Sequence, residues 1–221
     1  MDNRFDKVID EINKGKRFLV ASHVNPEGDA VGSALAIGLG LKELGKYSKV
    51  FFHDNVPNVF KFLSGAMDVV HKVDDDEIFD AAIVVDCGQL DRLGDNFKTI
   101  KNKGTVINID HHITNDLFGD INVVIPGASA AGEIVYDLLK AMDVRIIKDI
   151  AVNIYTSILS DTGSFRYSST TPHALEAAAE MIKAGADPWD ISQRIYESYP
   201  AKRFKLLSMV LNTLEVTGDG K

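Results

Sequence analysis

The chain has 221 residues, of which 45% are hydrophobic and 25% charged, with a formal net charge of −8. That length holds one large domain, or one domain and the start of another, and the acidic balance excludes broad electrostatic capture of duplex nucleic acid, which needs a basic face. The single cysteine, Cys87, excludes an intrachain disulfide and fits a reducing cytoplasm, and no run approaches the ~20 apolar residues of a membrane span.

The N-terminal MDNRFDKVIDEINKGK reads as an amphipathic helix without a signal-peptide core. RFLVAS, 17–22, is the first expected strand. A helix follows from near Asp29 through AVGSALAIGLGLKELG and stops at Gly45. SKVFF, 48–52, is a second strand, with a short helix around 57–63. The run Asp74-Asp75-Asp76-Glu77 reads as a solvated helix start. AAIVVD, 81–86, and TVINID, 105–110, are core strands, and INVVI, 121–125, a shorter edge strand. Helical spacing covers 129–142, 148–159, 172–184, 188–198 and 201–214, and LEVTGDGK at the end reads as a strand and turn. Strands alternating with helices predict an α/β fold: a mostly parallel, open sheet of about five strands with helices on both faces, then a helical C-terminal segment.

Four segments set acids or imidazoles directly after apolar runs. His23-Val24-Asn25-Pro26-Glu27-Gly28-Asp29 follows the first strand, Asp86 the third, Asp110-His111-His112 the fourth, and Asp161 the helix at 148–159. The C-terminal ends of parallel strands share one edge, so three of these groups converge, and the fourth joins them if its helix ends there. Taken singly, each has a plainer reading. His23 suits a strand-end histidine bonded to a carbonyl, Asp29 a helix N-cap, Asp86 a cap for a helix after Gly88, and Asp161-Thr162-Gly163 a turn. Together, His23, Glu27, Asp29, Asp86, His111 and Asp161 would repel or lose solvation without a cation among them. Mixed carboxylate–imidazole ligation suits manganese, with magnesium, cobalt or zinc as alternatives. Six ligands are too many for one ion with an open water position and the right number for two ions sharing a carboxylate.

Other residues say less. Cys87 reads as a packing residue. Gly28 lets the turn present ligands, and Gly32 and Ser33 are expected to permit close helix–sheet packing. GLGLKELG is not a dinucleotide fingerprint, because its glycines lie within a helix. Arg166, in Phe165-Arg166-Tyr167, is the candidate to meet a phosphate.

The order HVNPEGDAVGS, VVDCG, NIDHH, SDTGSF, spanning 23–165, resembles the DHH phosphoesterase superfamily, the RecJ-like proteins. Within it the chain is most similar to the nanoRNase and pAp-phosphatase group, whose members resemble exonucleases but degrade very short oligoribonucleotides and dephosphorylate 3′-phosphoadenosine 5′-phosphate. The resemblance implies that His23 and Glu27 hold one manganese, that Asp29, His111 and Asp161 hold a second, and that Asp86 bridges them. His112 would meet the phosphate, and Asp110 would orient a histidine. The expected reaction is hydrolysis of short RNA or DNA oligonucleotides or small nucleotides by a hydroxide activated by two metals, in a cytoplasmic enzyme that admits a homodimer and has no membrane partner.

The family usually has Asp where this chain has Glu27, and the extra methylene shifts the carboxylate by about a bond length, which bears on the first metal. The family also carries a C-terminal domain with a glycine-rich, histidine-containing motif, and no such sequence occurs here. The expectation is therefore a catalytic domain at 1–198, with 199–221 a linker helix and the start of a substrate-binding domain. Two alternatives stand beside this reading: a manganese-dependent inorganic pyrophosphatase, which shares the N-terminal signature, and a catalytically weak nucleotide-binding or regulatory module.

Overall fold

The computed structural model describes residues 3–215 and 218. Residues up to Asp187 form one compact unit and those from Pro188 a second. The expected C-terminal strand and turn fall mainly on residues outside those described.

Five strands, β1 (Arg17–Ala21), β2 (Tyr47–Phe51), β3 (Ala81–Val85), β4 (Thr105–Asp110) and β5 (Ile121–Val124), form one sheet in the order β2-β1-β3-β4-β5. Every pairing is parallel. β3 is buried along its whole length, AAIVV, because both faces of a central parallel strand are covered. β5 lies at the edge, as its short run predicts.

The order reverses between β1 and β3, and the segments after these two strands leave on opposite faces. After β1 comes α2 (Gly28–Glu43). After β3 come a 3-10 turn, Leu90–Leu93, and the one-turn helix α3 (Asp95–Thr99). Leu93, Phe97 and Ile100 there pack with Leu19, Ala21, Ala82 and Val84 of the sheet. Helices thus cover both faces, but unequally. The second face has mainly short turns, whereas the first carries α2, α4 (Ala131–Ala141) and α5 (Lys148–Asp161).

α2 is buried on almost every side, from Gly28 to Leu41. A helix that is apolar all round lies inside a protein, and α2 separates the sheet from α5. This corrects the role expected of Gly32. A methyl group there would overlap the Asn153 carbonyl and press on Ser157, both in α5, so the glycine serves helix–helix packing. Ser33 spends its hydroxyl on the Asp29 carbonyl at 2.6 Å. Gly45, at φ 71°, ends α2 in the left-handed conformation, and Lys46 N–H returns to Leu41 O at 2.9 Å.

The N-terminal helix is α1 (Asp6–Lys14), burying Val8 and Ile12. α6 (Pro172–Lys183) starts with proline and is capped by the Thr171 hydroxyl. Three further expectations change. The acidic run at 74–77 is a turn, not a helix start, and Glu77 pairs with Arg17 at 3.1 Å and with Lys49. The segment at 57–63 holds only a 3-10 turn, Asn58–Phe60. In the second unit, 188–198 divides into α7 (Pro188–Ser192) and a π-helical turn, Gln193–Glu197, before α8 (Ala201–Leu211).

Candidate metal centre

The sheet brings the expected ligands to one edge at the point where strand order reverses, which is where open α/β sheets bind ligands. His23 follows β1, Asp86 follows β3, and Asp110, His111 and His112 close β4. α5 ends at Asp161, so the fourth segment reaches the same place. Three donor groups result: His23, Glu27 and Asp86; Asp29, His111 and Asp161; and Asp86, Asp110, His111 and His112. Asp86 belongs to two of them.

Each ligand is set by its backbone. Glu27 is the last extended residue before α2 and makes no capping bond, which frees its side chain toward His23. Asp29, in the first turn of α2, is not that helix's cap. It accepts the Ala131 N–H at 2.7 Å and the Gly132 N–H at 3.1 Å, and so caps α4, while Ser157 also donates to it. Asp86 turns out of β3 at φ 51°, a left-handed conformation that costs energy and that aspartate tolerates better than most residues. Its neighbour Cys87 points elsewhere, donating to Gln89 O, and burial pushes its thiol up to about 12.

The imidazoles face the carboxylates with Nε2. His23 Nδ1 lies 2.7 Å from Val24 O, and Nε2 stands 3.4 Å from Asp86 and 3.7 Å from Glu27. His111 Nδ1 lies 3.3 Å from Ala128 O, and Nε2 is ringed by Asp29 at 3.5 Å, Asp86 at 3.6 Å and Asp161 at 3.5 Å. These spacings exceed hydrogen-bond lengths. They suit donors arranged around a small cation with bonds of about 2.1 Å. Asp86 Oδ2 is buried and has no hydrogen-bond partner, and a buried carboxylate oxygen needs one or a cation.

The electrostatics agree. Burial would lower His23, but Asp86 and Glu27 raise it to about 10. Burial would likewise lower His111, yet Asp86, Asp29 and Asp161 raise it to about 10. Burial raises Asp29 well above its ordinary range, with Asp86 adding to it. Without an ion, the carboxylates around each imidazole favour its protonated form. Divalent cations would balance the carboxylates with neutral histidines as ligands. The residues fit such ions.

Asp110 and His112 form a separate pair. His112 Nδ1 lies 2.7 Å from Asp110 Oδ1, and that bond raises the imidazole's pKa. Asn115 donates to Asp110 Oδ2 at 2.6 Å and to Asn108 at 2.8 Å. Arg166 is exposed in the loop after Asp161, and its Nε donates to Gly163 O at 2.7 Å. Sequence reasoning overlooked Ser157 and Asn115, which carry no motif, and Arg92, whose Nη2 lies 3.3 Å from His23 Nδ1.

A parallel sheet with mixed carboxylate and imidazole donors at its switch point defines an α/β domain equipped for divalent metal. The model of the DHH family, N-terminal domain, matches residues 17–159, and the chain belongs to that family. It is 34% identical over 195 residues to the bifunctional oligoribonuclease and PAP phosphatase NrnA of Thermus thermophilus, with 88% of this chain and 58% of that protein covered. The NrnA of Bacillus subtilis is 26% identical over 195 residues, covering 87% of this chain and 61% of its own length. The chain thus spans about three-fifths of these relatives. The crystal structure of an exopolyphosphatase-related protein from Bacteroides fragilis superposes with a TM-score of 0.88 at 27% identity, covering 99% of this chain and 67% of that one.

Proposed function

We propose that the chain is a metal-dependent phosphoesterase domain that hydrolyses short oligoribonucleotides or small nucleotide phosphoesters such as 3′-phosphoadenosine 5′-phosphate. The observation that carries this reading is the position of Asp86, whose buried Oδ2 has no hydrogen-bond partner: it groups with His23 and Glu27 on one side and lies 3.6 Å from His111 of the Asp29, His111 and Asp161 group on the other. The names of the Thermus and Bacillus relatives support the substrate class. We assign His23 and Glu27 to one divalent cation, Asp29, His111 and Asp161 to another, and Asp86 to both. Manganese is the first choice, with magnesium and cobalt as alternatives.

Cations bound there would supply Lewis-acid polarisation of the phosphoryl oxygens and a more acidic water. The chain's own residues do the rest. Asp110 accepts the Nδ1 proton of His112 and fixes the ring. His112 is left with Nε2 for a non-bridging phosphoryl oxygen, where charge develops in the transition state. Arg166 retains its other guanidinium nitrogens for a phosphate contact. In this reading residues 1–198 make up the catalytic domain and those from 199 a linker helix. Cys87, a lone buried thiol, favours a cytoplasmic setting, and sedimentation of the same preparation would reveal a homodimer.

The test is turnover of dinucleotides, 3′-phosphoadenosine 5′-phosphate and a chromogenic phosphodiester with manganese, beside elemental analysis. About two ions per chain and turnover abolished by His111→Ala are expected. Full loading with no turnover on any of the three substrates would overturn the reading.

A further inference from the structure

We propose that Arg92 grips the phosphate of the substrate on the His23 side of the cluster, an inference that rests on the phosphoesterase reading above. Arg92 belongs to the 3-10 turn Leu90–Leu93, just after the segment that carries Asp86. Its backbone is pinned at both ends. Val24 N–H donates to Arg92 O at 2.7 Å, tying the turn to the loop of His23 and Glu27, and Arg92 N–H donates to Gln89 O at 3.1 Å.

The guanidinium approaches the His23 ring, with Nη2 3.3 Å from Nδ1. His23 needs its Nδ1 proton for the 2.7 Å bond to Val24 O, so it offers Arg92 a proton and no lone pair. A guanidinium has only donors. Among the described residues Arg92 makes no ion pair with a carboxylate. Its donors are therefore unspent, in an exposed residue held beside the metal ligands. Glu27, on this side, has a side chain 65% exposed, so the approach is open to solvent.

A charge count shows what the guanidinium is for. Glu27, Asp29, Asp86 and Asp161 are four carboxylates, and two divalent cations cancel them. Asp110 is hydrogen-bonded to His112 at 2.7 Å and stands outside this count. The loaded site is then near neutral, with no surplus for the negative charge of a phosphate. Arg92 supplies one. Guanidinium–phosphate pairing is bidentate and strong. Arg166, by contrast, has committed its Nε to Gly163 O.

The test titrates inorganic phosphate into the manganese-loaded chain, read by phosphorus NMR relaxation, and measures KM and kcat on 3′-phosphoadenosine 5′-phosphate in parallel. Arg92→Gln should weaken phosphate binding and raise KM by about tenfold to a hundredfold. It should change kcat less and keep the wild-type manganese content. Arg92→Lys should recover only part of the loss, because an ammonium cannot form the fork. Wild-type phosphate binding and KM in Arg92→Gln would overturn the proposal, and so would loss of manganese, which would make Arg92 a support for His23. A wild-type chain that binds phosphate and hydrolyses nothing would overturn the phosphoesterase reading, whereas turnover with a wild-type KM in Arg92→Gln would overturn the Arg92 proposal alone.

Discussion

The Asp29 carboxylate accepts the Ala131 N–H at 2.7 Å, across 102 residues of chain. One side chain thus joins the first turn of α2 to the N-terminus of α4, where a negative charge is favoured by the helix dipole. The same carboxylate lies 3.5 Å from His111 Nε2. Structure and candidate metal site therefore meet in a single residue.

Metal should stabilise the fold through this residue. A ligand at a hundredfold excess over its Kd adds about 2.7 kcal/mol per site, which for a chain of this size raises Tm by roughly 5–10 °C. Manganese added to the metal-free wild type should give at least that rise. Asp29→Asn, which keeps an acceptor for Ala131, should lose the share contributed by the site it helps form, about half of the total for two equal sites. An equal rise in both would remove Asp29 from the ligand set.

His112 and Asp110 should affect turnover and leave metal content alone. His112→Ala is expected to lower kcat by about a hundredfold or more, and Asp110→Asn by roughly tenfold to a hundredfold. Both variants should keep wild-type manganese by elemental analysis. A parallel loss of metal would show that His112 ligates directly.

Gly32→Ala tests the packing of α2 on α5. The methyl group has no room beside the Asn153 carbonyl and Ser157, so a cost of about 1–3 kcal/mol is expected, read as a lower urea midpoint. Gly127→Ala, where nothing lies within 4 Å, is the control. Equal midpoints for the two variants would mean that the helices separate freely.

Asp80 supplies a pH dependence remote from the metal ligands. Its carboxylate accepts Lys16 N–H at 2.6 Å and Arg17 N–H at 2.9 Å, and these bonds hold its pKa below the usual range. A lowered native pKa gives stability that is present above the unfolded value, near 3.9, and lost as the pH falls through the native one. Asp80→Asn should therefore be less stable than wild type at neutral pH, with the gap closing as the pH falls below the unfolded value and through the lower native one. A gap that persists in acid would assign the effect to shape and not charge.

What could be read beforehand was local. TVINID followed by two histidines announces both a buried strand and its polar end, and β4 ends at Asp110 as that run suggests. The convergence of the strand-end groups followed from parallel topology alone, because parallel strands share an edge. The hidden relationships are those between distant segments. Nothing near Asp29 signals Ala131, so the residue looked like a cap for its own helix. Gly32 is expected from its place after β1 to meet the sheet, whereas its contacts are with Asn153 and Ser157 of α5. Arg92 carries no motif, and only the bond from Val24 N–H sets it beside His23. The run at 74–77 has the composition of an exposed helix start, but Glu77 is drawn inward by Arg17 and Lys49.

The two halves of the cluster differ in access. Glu27 is 65% exposed, whereas the side chain of Asp29 is 1% exposed behind the ends of α2 and α4. On the proposed ligand assignment, an ion beside Glu27 would exchange with solvent more readily than one beside Asp29, whose partners His111 and Asp161 are 14% and 33% exposed. A brief chelator pulse should leave a half-stripped chain, with the labile position emptied and the slow one still filled.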